Sequence, residues 1–219
     1  MTKPRGLLFA RMDIPAELEG EFNDWYNREH LAWRLERAPG FLSGRRFRAL
    51  EGTPKYAAAY DLESVDVLQS PAYLSIRQEE RANPTPEFQR VYPRFQNLKR
   101  GVYEEITPDP TDYRPPAEGR ILLVAMLVPR PEHEDEFNAW YNTEHLPALR
   151  SVSGILTARR FRAVEGEPKY VALYDVTSYD VFGGQEYLTK RESPWATRIR
   201  SLLASRERCV YERIFPPVG

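Results

Sequence analysis

FNDWYNREHL at 22–31 and FNAWYNTEHL at 137–146 differ at two of ten positions, and between them they hold two of the chain's three histidines. An imidazole changes charge near neutral pH, so His30 and His145 are candidates to take and return a proton. Glu29 and Glu144, the residue before each, are candidates for a second proton-carrying pair. The amides of Asn23, Asn27, Asn138 and Asn142 can orient a polar ligand through donors and acceptors at once. Together these residue types point to general acid–base catalysis on a small molecule.

At about 100° per residue, Leu18, Phe22, Trp25, Tyr26 and Trp33 share one apolar sector of a helix, and Glu29 falls inside it. Phe137, Trp140, Tyr141 and Glu144 repeat the arrangement. A carboxylate on an apolar face needs a partner. Beside that sector, Asn23, Asn27 and His30 at i, i+4, i+7 form a polar flank, as do Asn138, Asn142 and His145, and this flank is expected to edge a pocket. Tyr26 and Tyr141 read as core aromatics whose hydroxyls could reach the same space. Successive Glu and His lie about 100° apart, so their partners must come from other elements.

The segment RRFRAL at 45–50, repeated as RRFRAV at 159–164, places Arg46 and Arg48 on one face of a strand, and Arg160 and Arg162 on the equivalent face. These arginines either bind an anionic substrate and stabilise an enolate, or pair with Glu29 and Glu144; spacing leaves both open. On the strand after it, Tyr60 and its copy Tyr174 read as core aromatics whose hydroxyls could also reach a cavity. Pro147 follows the second phrase and is expected to end its helix. His145 would then lie in the last turn, where the helix dipole raises an imidazole pKa. Ala32 stands at the matching place in the first half, so the two helices should end differently. His133, in the charged run RPEHEDEF, is assigned no role.

Each half must supply elements that position these groups. GLLFARMDI and RILLVAMLV read as strands, then Pro15 or Pro131 opens an acidic helix. RRFRAL and KYAAAYDL, joined by EGTP, read as a hairpin. A second helix near 71–98, and again near 184–206, precedes closing strands GVYEEIT and CVYERIF. EGTPKYAAAYD at 51–61 matches EGEPKYVALYD at 165–175, and the repeats stand 115 or 114 residues apart in constant order, the length of a small domain. Each half is therefore expected to be a β-α-β-β-α-β, ferredoxin-like unit in an α+β fold. The first repeat spans 1–107, a proline-rich linker spans 108–119, and the second repeat spans 120–219. Two such sheets, each with one bare apolar face, are expected to cover each other as a pseudo-dimer within one chain.

With WYNxEHL early in each half, this layout resembles the dimeric α/β barrel superfamily, in particular its EthD-like branch, over nearly the whole chain. The resemblance implies a cofactor-independent enzyme of isomerase or lyase type acting on a small, largely apolar aromatic or polyketide-like molecule. Two alternatives stay open: a cofactor-free or haem-dependent monooxygenase, and a non-catalytic small-ligand-binding or stress-related module.

Composition narrows the partners. The chain has 31 basic and 32 acidic residues, a formal net charge of −1, and no long run of one sign, so no nucleic-acid partner is expected. Its single cysteine, Cys209, allows no intrachain disulfide and suits a reducing compartment. ILLVAMLV at 121–128 is far short of the roughly 20 residues of a membrane helix. The N-terminal stretch lacks a signal-peptide core, and the cytoplasm is the expected location. No Ser-His-Asp order, phosphate loop or dinucleotide fingerprint occurs. No metal or cofactor is expected, and a further homodimer remains open.

Overall fold

The computed structural model describes residues 4–108, 110 and 112–218. Its centre is a closed antiparallel barrel. The strands are β1 (Gly6–Asp13), β2 (Phe41–Glu51), β3 (Tyr56–Leu62), β4 (Gln96–Glu105), β5 (Ile121–Pro129), β6 (Ile155–Glu165), β7 (Tyr170–Val176) and β8 (Leu203–Phe215). They run in the order β1-β3-β2-β8-β5-β7-β6-β4 and close β4 onto β1. The first four strands form one half-barrel and the last four the other. The seams are β2 with β8 and β4 with β6.

Closure results from strands that are apolar on both faces. Leu7 and Phe9 of β1 point into the barrel with Leu122, Val124 and Phe161. Leu8, Ala10 and Met12, the alternate residues, face outward onto helices. In the second half Leu123 and Leu127 do the same. The molecule therefore has three apolar layers, one inside the barrel and one beneath each helix group. Joining the half-sheets into a ring also leaves no bare strand edge.

The helices differ from expectation in two ways. The first in each half is long and continuous: α1 (Glu19–Trp25) passes through a π-helical segment, Tyr26–Leu31, into α2 (Ala32–Arg37). Likewise α5 (Glu134–Trp140) passes through Tyr141–His145 into α6 (Leu146–Arg150). The second helix is split. In the first half it becomes α3 (Pro71–Ala82) and α4 (Pro86–Val91), and in the second α7 (Gln185–Lys190) and α8 (Pro194–Ser201). Pro84, Pro86 and Pro194 interrupt the helical bonding, and Thr85 and Ser193 cap the restarted helices. The closing strands consequently begin earlier than expected, at Gln96 and Leu203. No helix among the described residues is long and apolar enough to cross a membrane.

Glycine is required where the hairpin turns meet the seams. Gly52 and Gly166 both have φ of +83°, and a Cβ there would come within 2.6 Å of Cys209 Sγ and of the Arg100 carbonyl, respectively. Each turn thus packs against a seam strand with no room for a side chain.

Charge is buried at one end of the barrel in a reciprocal pattern. Arg45 of the first half pairs with Asp175 of the second, while Arg159 of the second reaches Asp61 of the first at 2.8 Å. Ser43 donates to Asp61, and Thr157 donates to Asp175 at 2.6 Å. The proline-rich connector is more than a spacer here. Tyr113 accepts from Arg45 at 2.7 Å, donates to Asp175 at 2.7 Å and lies under the Arg159 guanidinium. Arg213 fastens the same connector by donating to the Pro116 and Ala117 carbonyls at 3.2 and 2.5 Å. Although burial pushes the Asp175 carboxyl up, Arg45 and Arg159 hold it below its ordinary value. Removing one partner of such a buried pair strands the other. Asp175→Asn should therefore lower the unfolding free energy by about 3–5 kcal/mol, read from urea denaturation, whereas Tyr113→Phe should cost about 1 kcal/mol.

Candidate functional site

The repeated phrase first clamps each helix to its half-sheet. Arg46, buried on the outward face of β2, donates to Asn27 Oδ1 and Asn23 Oδ1 at 2.8 Å each. Its guanidinium stacks over Tyr26 and Phe22, 4.4 and 4.6 Å from the ring centroids. Arg160 repeats this with Asn142, and with Asn138 at 2.9 Å, over Tyr141. With every strong contact taken by amides and rings, Arg46, Arg160 and the four asparagines hold helix to strand. They line neither of the cavities beneath the two helix groups. Arg48 is exposed and pairs with Glu212 at 3.0 Å, and Arg162 is exposed. Neither joins a site.

Glu29 and Glu144 take structural partners, as a carboxylate on an apolar face requires, but these are side-chain donors other than arginine. Glu29 accepts from the Trp25 indole and the Thr85 hydroxyl, each at 2.9 Å. Thr85 in turn accepts from the Phe88 amide as the cap of α4. Glu144 does likewise with Trp140 at 3.1 Å and with Ser193, the cap of α8. No arginine is involved. Each carboxylate ties the first helix to the restart of the second, and neither lines a cavity.

The π-helical turns explain why the expected Asn-Asn-His flank does not exist. The Leu146 amide donates to Tyr141 O, five residues back. The wide turn rotates the downstream residues away from the phase of an α-helix, as such turns often do at functional sites. Asn23 and Asn27 therefore face β2, while His30 swings round to lie 4.9 Å from the Trp25 ring and 4.7 Å from the Tyr26 ring. His145 stacks on Trp140, five residues before it, at 4.4 Å and an interplanar angle of 25°.

His30 lines a cavity of about 260 Å³ between sheet and helices, with Tyr26, Tyr60, Tyr73, Arg34 and Glu80. Its Nδ1 stands 3.2 Å from Glu80 Oε1, and its side chain is 12% exposed. Arg34 grips Glu80 in a fork of two 2.9 Å bonds. The Tyr60 hydroxyl donates to that of Tyr26 at 3.2 Å, which leaves the Tyr26 proton free for a ligand. Burial, reinforced by Arg34, lowers the His30 pKa to about 4 despite Glu80. Glu80 is brought down to about 2, because His30 and Arg34 outweigh its burial. At neutral pH the group is a neutral imidazole beside an ionised carboxylate.

His145 lines the matching cavity of the second half, about 170 Å³, with Trp140, Tyr141, Leu149, Tyr174 and Tyr187. Tyr141 and Tyr174 share a 2.7 Å hydrogen bond. Pro147 does not end the helix: Leu146, immediately before it, is helical at φ −65°, ψ −47°, and the helix runs on to Arg150. His145 thus lies mid-helix rather than in a last turn. Instead of rising, its pKa falls to about 4 through burial, then through Arg200, Arg191 and Arg160.

Arg34 and Glu80 escape a reading of the sequence because they belong to no repeated phrase. Their signal is the reverse, a difference between the copies. Leu149 stands where the first half has Arg34, and α7 is six residues against the twelve of α3, so the turn carrying Glu80 is missing. Both cavities fall below the roughly 300–1,000 Å³ of drug-sized ligand sites. They suit a small molecule. Among the described residues, no group of three or more His, Cys, Asp or Glu could hold a metal ion.

The sequence matches no family model and no curated protein. Solved structures do resemble it over nearly its full length. A protein provisionally named a monooxygenase, from Fusobacterium nucleatum subsp. nucleatum ATCC 25586, superposes with a TM-score of 0.67 at 10% identity, covering 98% of this chain and 94% of that one. An anthrone oxidase-like protein gives 0.62 at 12% identity, over 97% and 92%. A chlorite dismutase variant from Candidatus Nitrospira defluvii gives 0.60 at 10% identity, over 100% and 94%. At such identities the likeness defines the fold: the chain is an α+β protein of the dimeric α/β barrel type.

The two depressed imidazoles set a pH dependence. Each takes up a proton in the unfolded chain near pH 6.5 but in the folded protein only near 4. Between those values the unfolded state binds more protons, so stability falls as pH falls; the histidines' share levels off below about 4, where protonation of Glu80, held near 2, continues the loss. By about pH 5 the loss should be roughly 2 kcal/mol per histidine. Urea midpoints at descending pH test this, and His145→Gln should remove about half of the drop.

Proposed function

We propose that the chain is a cofactor-independent enzyme of isomerase or lyase type, acting by proton transfer on a small, largely apolar aromatic or polyketide-like molecule in the first-half cavity. The observation that carries the reading is the placement of His30 Nδ1 against Glu80, 3.2 Å away. A carboxylate this close favours the proton on Nδ1 and leaves Nε2 as the acceptor, although the pair makes no hydrogen bond in the present orientation. In the step, a substrate C–H bond breaks, the proton passes to Nε2, and the electron pair moves to an adjacent carbonyl oxygen as an enolate. The Tyr26 hydroxyl, already polarised by Tyr60, donates to that oxygen. Return of the proton to a different carbon completes an isomerisation, and loss of a leaving group completes an elimination. Arg34 binds no substrate here; it keeps Glu80 ionised and in place.

The provisional name of monooxygenase given to structural neighbours supports a second reading, a cofactor-free or haem-dependent monooxygenase. In its cofactor-free form it begins with the same deprotonation, after which the carbanion takes up dioxygen as a hydroperoxide that loses water, leaving one oxygen on the substrate as a carbonyl. On the origin of the framework, we propose that 1–107 and 120–219, joined by 108–119, are ferredoxin-like units of the EthD-like branch related by tandem duplication. The repeated WYNxEHL phrase supports this.

A panel of small aromatic ketones and polyketide-like compounds, ranked by thermal shift and then monitored by absorbance and oxygen uptake, tests the function. His30→Ala should lower kcat by about 10²-fold or more with KM little changed. Oxygen consumption matching turnover would select the monooxygenase. Ligand binding without turnover in the unmodified protein would select the non-catalytic binding module.

A further inference from the structure

The two cavities are built by matching elements but differ at particular lining positions. Thr85 and Ser193 make the same cap contacts, so Phe88 and Ala196, three residues on, correspond, as do Tyr92 and Arg200. Val102 pairs with Leu8 on β1, and Val210 pairs with Leu123 on β5, so four residues earlier Leu98 corresponds to Arg206. Arg34 corresponds to Leu149, and Glu80 has no counterpart. The first cavity has an ion pair on its floor and, at its mouth, Phe88 and Tyr92 stacked at 4.7 Å. The second has Leu149 and Ile199 within and Arg191, Arg200, Arg206 and Arg208 around its mouth. Arg77, Arg81 and Arg100 also line the first cavity, and Arg77 and Arg100 correspond to Arg191 and Arg208, so the second cavity differs in lacking the buried ion pair and in carrying Arg200 and Arg206 where the first has Tyr92 and Leu98.

The carboxylates near this mouth are already committed. Glu207, which lines it, is held by Arg11 at 2.5 Å and Lys99 at 3.8 Å from the barrel end. Glu192 holds Arg200 and Arg191, and Glu51 holds Arg208. Arg206 has no hydrogen bond or ion pair among the described residues. It projects from β8 on the face of its cross-strand neighbour Leu127, which also lines the cavity. An unpaired guanidinium at the rim of an apolar hollow fits an anionic headgroup on an apolar body. A cavity of about 150 Å³ holds a benzene ring, so one of about 170 Å³ takes a single ring with its chain reaching the mouth.

We infer that the second cavity is a separate binding site for a small apolar carboxylate, with its ring on Leu149 and Ile199 and its carboxylate at Arg206, flanked by Arg200. The site goes beyond the proton-transfer reading and does not depend on it.

Titration calorimetry of the intact protein with 3-phenylpropanoate and its neutral amide tests the site. The acid should bind about tenfold tighter than the amide. Arg206→Leu, an exposed change that copies the first half, should erase that preference while leaving the amide's affinity alone. Ala196→Phe, which restores the first-half wall, should weaken both ligands, with circular dichroism confirming its fold. Equal affinity for acid and amide, or an acid preference that survives Arg206→Leu, would overturn the inference, as would no binding of either. The readout is binding, so absence of turnover at His30 leaves the inference standing.

Discussion

The crossed ion pairs at one end of the barrel are the constraint on which the rest depends. Arg45 with Asp175, and Arg159 with Asp61, each span the interior from one half to the other. A half-sheet separated from its partner would expose a face of Phe, Leu and Val, and its arginine and aspartate would lose their closest counter-charges, leaving the first half only the longer Arg45–Asp61 pair at 3.9 Å. Burying such groups unpaired is costly enough to disfavour partial assemblies. The pairs therefore act less as a source of net stability than as a selector of one register between the halves. That register places β2 beside β8 and β4 beside β6, and so fixes where each helix group lies over its sheet.

Given that register, a short chain of contacts builds the candidate sites. Arg46 and Arg160 hold the first helices down through paired amides, and Glu29 and Glu144 hold the restarted second helices against them. The polar residues of the repeated phrase are thus spent mostly on defining two hollows. From the phrase, the histidines, the tyrosines and, in the second half, Trp140 face into them.

Much of this was legible in the sequence. The repeat, the strand order within each half and the helix bearing WYNxEHL can be read from hydrophobic period and turn residues. The phase of the helix was not legible. One wide turn at Tyr26–Leu31 parts His30 from Asn23 and Asn27, and composition carries no sign of it. Glu80 was hidden because it lies fifty residues from His30 and only in one copy, and Tyr113 because a proline-rich stretch reads as a spacer rather than as a side chain inserted between two arginines.

Closing the ring within a single polypeptide has an evolutionary consequence. When a barrel is assembled from two identical subunits, every mutation appears twice, and a change that suits one hollow must be tolerated in the other. Here a codon altered in one half leaves its counterpart untouched. Leu149 where the first half has Arg34, or Arg206 where it has Leu98, are differences that a homodimer encoded by one gene cannot hold.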